Sequence, residues 1–462
     1  MKATKTEIFE SKPAPAAVAA MAVPTMLSQV ITLIYNLADT FFVGHTGEPT
    51  QVAALTLVFP VFMLLTGIGN LFGIGANSCI SRSLGMGDHD RARRVCAFAF
   101  WGGLSLTAVM LLALGILRKP ILYAMGASDM TVGPAGDYIL WVMLVGGLPT
   151  EASLLLAHML RGEGSTKEAS AGMMLGGILN MILDPVFIFG FHMGVGGAGF
   201  ATMLSNLVCL CFYGIVLYRN RANTVVSLHP KRFRFQGSGE ILLVGLPAAM
   251  VIALGSSANI LLTRLMSAYS DLAVASYGVT QKFGTVAMNL SIGLTQGIMP
   301  LIGYNYAAKN FPRVRAVAKC SFVILLCFVL LIFGTCQLLP EPLMRLFVTD
   351  PDTVALGSDF LVRWSFAIPG MAFVFLISSI FQAMGRWKRS LLLNVLRQGV
   401  IFMPALLIMN RIFGMYGLVW AQPVADLLAL ALGIVLYGLV ARELAGRIKR
   451  QRNWKHRHTA KR

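Results

Sequence analysis

The chain has 462 residues, of which 56% are hydrophobic and only 13% charged, with a formal net charge of +18. A soluble protein of this size carries roughly 25% charged residues, and so much apolar surface in long runs argues against a soluble multidomain protein. A mean hydropathy of +0.71 and short charged turns between apolar runs describe an all-α membrane protein that crosses the bilayer many times.

Lys2, Lys5 and Lys12 precede an apolar run that begins near Ala14. That run is too long for the apolar part of a signal peptide and has no convincing cleavage site, so it reads as a retained first span. A span needs about 20 apolar residues. Runs of that kind fall near 14–42, 52–81, 95–117, 135–160, 170–191, 197–218, 241–266, 273–303, 317–339, 357–384, 390–410 and 415–440, about twelve in all. The pattern predicts a six-helix bundle over 1–220, a linker over 221–239, a second six-helix bundle over 240–441 and a basic tail over 442–462.

The loops give an orientation. One set carries Arg82, Arg91, Arg93 and Arg94, then Arg161 and Lys167, then Arg219 to Arg234, then Lys309, Arg313 and Arg315, then Arg386, Lys388 and Arg389. The other set holds only Arg118, Lys119, Arg345 and Arg411. The first set is expected in the cytoplasm, which puts both termini there. The positive charge is thereby explained as topology and as an anchor near anionic lipid, and nucleic acid is not expected as a partner.

The two halves repeat. Leu84–Val95 (LGMGDHDRARRV) is similar to Tyr306–Val317 (YAAKNFPRVRAV), Leu160–Lys167 to Phe381–Lys388, and Gly194–Thr202 to Gly414–Gln422. Six spans in the same order in each half predict two bundles related by an axis along the membrane normal.

The candidate chemistry sits inside the spans. Asp184 lies in an apolar run, where an acid is costly and marks a functional site by default. Asn180 is one turn earlier, on the same helix face. Pro185 follows directly, and it cannot donate a backbone hydrogen bond and crowds the carbonyl of Met181. An acid, an amide oxygen and a loosened carbonyl are hard oxygen ligands, suited to Na⁺ or to a proton relay. Asp39 sits near the end of the first span with Tyr35 and Asn36 one turn behind it; on the residues alone it reads equally well as an interfacial cap. Thr202, in the sixth span, reads as an ordinary helix–helix hydrogen bond. Glu151 and His158 lie seven residues apart on one face of the fourth span and are candidate cavity-lining residues. In the second half, Lys282, Arg397 and Asp426 are the intramembrane charges, and pairing of Asp426 with one of the cations is expected. The seven cysteines form no CxxC pair and read as small buried hydrophobes. GVGGAG lacks the strand that a dinucleotide-binding turn needs, so it reads as close helix packing. No phosphate-binding loop, catalytic triad or metal-ligand cluster is recognisable, and enzymatic activity and cofactors are not expected.

Several stretches together resemble the multidrug and toxic compound extrusion (MATE) transporters, in their prokaryotic drug-exporter form. These are PTMLSQVITLIYNLADTFFVGHTG from Pro24, RGEGSTK from Arg161 followed by ILNMILDPVFIFG and GVGGAGFAT, then GLPAAM, ASYGVTQK and PLIGYNYAAKN in the second half. Glu163 and Ser165 stand where that family usually has Gln and Asp, and 241–266 lacks the carboxylate that some relatives carry. The resemblance implies a secondary active exporter of organic cations, driven by H⁺ or Na⁺ antiport through alternating access. It also implies that Asp39 belongs to a coupling site with Asn180, Asp184 and Thr202, which would be the Na⁺ ligands if Na⁺ is the ion. Small-molecule drugs and dyes, the lipid bilayer of the cytoplasmic membrane and a monomeric state are the corresponding expectations. The competing reading is a flippase for lipids or lipid-linked oligosaccharides from the same broad superfamily.

Overall fold

The computed structural model describes residues 3–46, 48–235 and 237–459. Lys2, Gly47 at the end of the first-span motif, Gln236 of the linker and the last three residues of the tail lie outside the described residues.

The apolar runs fold as long helices because every backbone polar group must be satisfied within the segment once water is absent. After a short α1 (Ala3–Glu10) come α2 (Ala14–Gly44), α3 (Pro49–Gly85) and α4 (His89–Ala124). Next are α5 (Val132–Val145) and α6 (Gly147–Gly162), which meet at 50° and form one broken span. Then come α7 (Thr166–Gly190) and α8 (Gly194–Arg219). The second half starts with α9 (Gly239–Ser267), α10 (Asp271–Ala307) and α11 (Phe311–Leu338). A short α12 (Pro340–Arg345) leads to α13 (Pro351–Trp364) and α14 (Ala367–Ala383), a second broken span bent by 45°. Asp350 caps α13, and the bonds it accepts from Thr353 hold its carboxyl below the usual carboxylate range. The chain ends with α15 (Trp387–Val395), a π-helical turn (Leu396–Phe402) and α16 (Met403–Thr459). α16 breaks at Gly414, with φ 60° and ψ −141°, so it supplies the end of the eleventh span and all of the twelfth. Twelve spans result among the described residues, and the predicted windows fall inside them to within about a residue at their ends. α1 has no predicted counterpart, being too short and polar to cross a bilayer.

The predicted repeat holds at the level of single backbone angles. Gly87 and Lys309 both have positive φ, and the next residues, Asp88 and Asn310, both cap a helix by accepting from the backbone N–H of Arg91 and Arg313. Gly164 pairs in the same way with Gly385, and Gly194 with Gly414, all at positive φ. Lys309 holds the left-handed conformation without the freedom that glycine has at the matching Gly87.

The bundles meet along α2, α3, α9 and α10, in the half that bears the basic loops. Backbones touch there. A Cβ on Gly245 would lie 1.7 Å from the Leu71 carbonyl oxygen, one on Gly85 2.1 Å from that of Tyr304, and one on Gly297 2.5 Å from the Ala22 Cα. Ser78 donates to the Gln382 carbonyl at 2.6 Å, and Glu240 receives Arg82 and Arg91 at 2.5 Å each. Towards the other face, α2, α9 and α10 expose polar side chains instead: Asn36, Thr40, Ser257 and Thr285. Polar groups on spanning helices are costly against lipid, so these line a cleft that opens between the bundles.

α1 lies across the closed seam. Its Phe9 is fully buried, stacks on Tyr304 of α10 and meets Gly164 of the first bundle, where a Cβ would come within 2.7 Å of the ring. Arg313 donates to the carbonyls of Ile8, Phe9 and Lys12, and Tyr304 donates to Glu10 at 2.5 Å. The strap is therefore attached both by its backbone carbonyls and by the buried Phe9 ring.

One expectation is corrected in detail and another is met. The cysteines are not all buried: Cys211 and Cys327 are exposed on outward helix faces, where a thiol tolerates lipid as well as it tolerates a core. Of the second-half cations, Arg397 is the one that pairs with Asp426, which also accepts from Gln422 at 2.9 Å. Lys282 instead sits 5.6 Å from the Phe347 ring centroid.

Candidate functional site

The site is built from four helices of the first bundle. α7 carries Asn180 and Asp184 one turn apart, and both are enclosed. The Asn180 amide donates to Asp184 Oδ1 at 3.1 Å and to Thr202 Oγ1 of α8 at 3.2 Å. The Thr202 hydroxyl in turn donates to the Ala198 carbonyl at 3.0 Å. Because that hydroxyl spends its proton on its own helix, it presents lone pairs to Asn180. Directly after Asp184 the helix ends at Pro185 and passes into a π-helical turn over Val186–Gly190. A proline without an N–H loosens the ladder at this level, and π turns of this kind recur at functional sites.

α2 supplies the facing acid. The Tyr35 ring packs on Gly177, where a Cβ would lie 3.0 Å from its Cδ1, so the absence of a side chain there lets α2 approach α7. One turn on, Asp39 faces Asp184 closely enough for the two charges to act on each other. The Tyr138 phenol of α5 lies beside the Asp39 carboxylate. Asn36, by contrast, is exposed and donates to the Thr32 carbonyl of its own helix. It belongs to the cleft wall and not to the acid cluster.

Three buried oxygens at this place have no hydrogen-bond partner among the described residues: Asp39 Oδ1, Asn180 Oδ1 and Asp184 Oδ2. Buried acceptors are normally satisfied, and leaving one bare costs about 1–3 kcal/mol. Three bare oxygens on neighbouring side chains fit a proton or a hard monovalent cation. Among the described residues no group of three His, Cys, Asp or Glu side chains is placed to bind a transition metal, so the donor set is hard oxygen only.

The other expected cavity residues are placed differently. Glu151 and His158 share a face of α6, as their spacing requires, but both are fully buried. That face meets α3 and α4 at Gly69, Gly73 and Gly103, each too close to Glu151, His158 or their neighbours to accept a Cβ without adjustment. They are interior to the first bundle, away from the exposed polar side chains of α2. Their polar atoms have no partner among the described residues, nor do those of nearby Asn77, which is the setting in which buried water is found.

Sequence reasoning missed Tyr138. It looks like any aromatic at a membrane interface, and only the approach of α5 to α2 brings it to Asp39. The turn GVGGAG opens α8 and meets Gln51 of α3, whose Oε1 accepts from the Val195 N–H at 2.8 Å; it serves helix packing.

Two six-helix bundles repeated in parallel, closed at one end and parted by a polar cleft at the other, with an acid pair inside one of them, define a polytopic membrane transporter. Comparison with known proteins agrees. The MatE family model matches residues 24–186 and 247–408, one stretch in each bundle. The chain belongs to the MatE family, the MATE transporters. The multidrug export protein MepA of Staphylococcus aureus (strain MSSA476) is 30% identical over 444 residues, covering 95% of this chain and 96% of that protein. MepA of Staphylococcus saprophyticus is 30% identical over 422 residues, covering 90% and 92%. Among solved structures, a MATE protein in complex with MaD3S superposes with a TM-score of 0.90 at 24% identity over 97% of this chain and 100% of that one. The Vibrio cholerae MATE transporter VcmN in its bent form superposes with a TM-score of 0.85 at 23% identity over 94% and 99%.

Proposed function

We propose that the protein is a secondary active multidrug exporter of the cytoplasmic membrane, extruding organic cations in exchange for H⁺ or Na⁺. The observation that carries this reading is the cluster of bare buried oxygens on Asp39, Asn180 and Asp184. The export of several drugs follows from the likeness to MepA along nearly the whole chain. The chain carries out no bond chemistry on this reading, requires no cofactor and acts as a monomer, with both termini and the basic loops in the cytoplasm.

The coupling ion enters from the open cleft and binds between Asp39 and Asp184. Its charge removes the repulsion between the two acids and lets α2 and α7 close on one another. Pro24 in α2 and Pro185 in α7 are the points where these helices lack a backbone hydrogen bond and yield most readily. A shift of α2 changes the wall that the first bundle presents to the cleft, and a bound cation is released outward. The cleft-facing polar groups Asn36 and Thr40 lie on that same helix.

The test is dye efflux from everted and intact vesicles with a proton gradient and a Na⁺ gradient imposed separately. Efflux driven by one of the gradients, and abolished in Asp39→Asn and Asp184→Asn, is the expected result. Efflux indifferent to both gradients would overturn the antiport reading.

A further inference from the structure

Away from the acid cluster, a cavity of about 520 Å³ opens on the flank of the second bundle, between α11, α14 and α16 near the basic loops. Its size lies within the roughly 300–1,000 Å³ of small-molecule sites. Its base is apolar and aromatic: Phe322 packs on Phe373 with centroids 6.0 Å apart and on Tyr437 at 5.1 Å. Its rim is cationic. Arg315 and Lys319 stand one turn apart on α11, both exposed, and neither has an ion pair or hydrogen bond among the described residues. The Tyr437 phenol lies within reach of the Arg315 charge.

The groove opens sideways, not towards the cleft. The same helix continues past it with Leu330 and Leu331 exposed by 58% and 66%, an apolar face suited to lipid. Two like charges at this spacing repel each other, and among the described residues no carboxylate pairs with either. A free anion would satisfy the charges but leave the aromatic floor uncovered. A zwitterionic lipid would cover the floor but bring no net charge. An amphiphile with an anionic head meets both requirements, and basic recesses between spanning helices on the cytoplasmic side are suited to such heads.

We propose that this groove is a binding site for an anionic phospholipid of the leaflet on the basic-loop side. One acyl chain lies along Phe322 and Phe373, and the headgroup phosphate is held by Arg315, Lys319 and the Tyr437 hydroxyl. The site shares no residue with the acid cluster, so it stands whether or not the coupling reading does.

The test is lipid binding by the purified full-length protein, followed by native mass spectrometry and thermal unfolding with added phosphatidylglycerol, phosphatidylcholine or inorganic phosphate. The R315Q/K319Q double variant changes only exposed side chains and is compared with the unsubstituted chain. Phosphatidylglycerol is expected to bind and stabilise in preference to phosphatidylcholine, and the double variant to lose roughly 30-fold in affinity, the worth of two cations at about 1 kcal/mol each. Equal binding of the two lipids, or undiminished phosphatidylglycerol binding by the double variant, would overturn the proposal. Inorganic phosphate displacing the lipid and reproducing its stabilisation would replace the lipid with a soluble anion, which equally overturns it.

Discussion

The Phe9 ring stacks on the Tyr304 ring with centroids 4.6 Å apart and planes within 16°. One ring belongs to the short helix before the first span and the other to the end of α10, nearly 300 residues later. Since Phe9 also covers Gly164 of the first bundle, a single side chain rests on both bundles where they are closed.

Phe9→Ala is expected to release the strap formed by residues 3–12 without unfolding the bundles. Truncating a buried phenylalanine costs about 3–5 kcal/mol. Hydrogen exchange checks this: backbone amides of the strap should exchange at least about a hundredfold faster, while those of α10 and α6 stay protected. Unchanged exchange would show that the Arg313 bonds to the Ile8, Phe9 and Lys12 carbonyls hold the strap alone.

Gly245→Ala tests the closed seam. Its new Cβ would fall 1.7 Å from the Leu71 carbonyl oxygen, and backbone cannot turn aside as a side chain can. A loss of about 1–3 kcal/mol is expected from such overpacking, with increased cysteine-reagent access to positions along α3 and α9. An unshifted melting temperature would count against direct backbone contact of the bundles.

Asp184→Asn preserves size and hydrogen-bonding capacity towards Asn180 but removes the charge. The protein should therefore fold and melt close to the unsubstituted chain, whereas gradient-driven efflux should fall to the passive leak. Thr202→Ala removes only an acceptor of the Asn180 amide and is expected to weaken coupling partially. Dye efflux and thermal unfolding on the same preparations separate the two effects.

Asp426 and Arg397 form an enclosed ion pair in the second bundle. Asp426→Asn leaves the guanidinium buried without a counter-charge, and a loss of about 3–5 kcal/mol is expected. Combining Asp426→Leu with Arg397→Met should recover most of it, since breaking one partner is worse than removing both. Thermal unfolding of the single and double variants decides, and a double variant as unstable as the single one would assign the pair a role beyond mutual compensation.

Much of this is legible in the sequence. The apolar runs gave the spans, and the one-turn spacing of Asn180 and Asp184 with Pro185 gave half of the acid cluster. Asp39 needed the resemblance, because an acid near a helix end is also an ordinary cap. Other features were not legible for a common reason: each depends on which face meets which neighbour. Glu151 and His158 share a face as read, but that this face meets the glycines of α3 and α4 is a property of packing. Phe9 is an aromatic in a short polar helix until Tyr304 and Gly164 are brought to it. Glu240 is a first-turn acid until Arg82 and Arg91 converge on it from the other bundle.

The glycine-lined seam has a kinetic consequence. Where Gly245, Gly85 and Gly297 bring backbone against backbone, those contact points carry no side chain to unmesh when the bundles part. Parting also breaks polar links across the seam, among them Glu240 with its two arginines and Ser78 with the Gln382 carbonyl. Glu240 is about one-third exposed, so dissolved ions reach it and screen its attraction. That share of the hold on the closed end is accordingly weakened as ionic strength at the membrane surface rises.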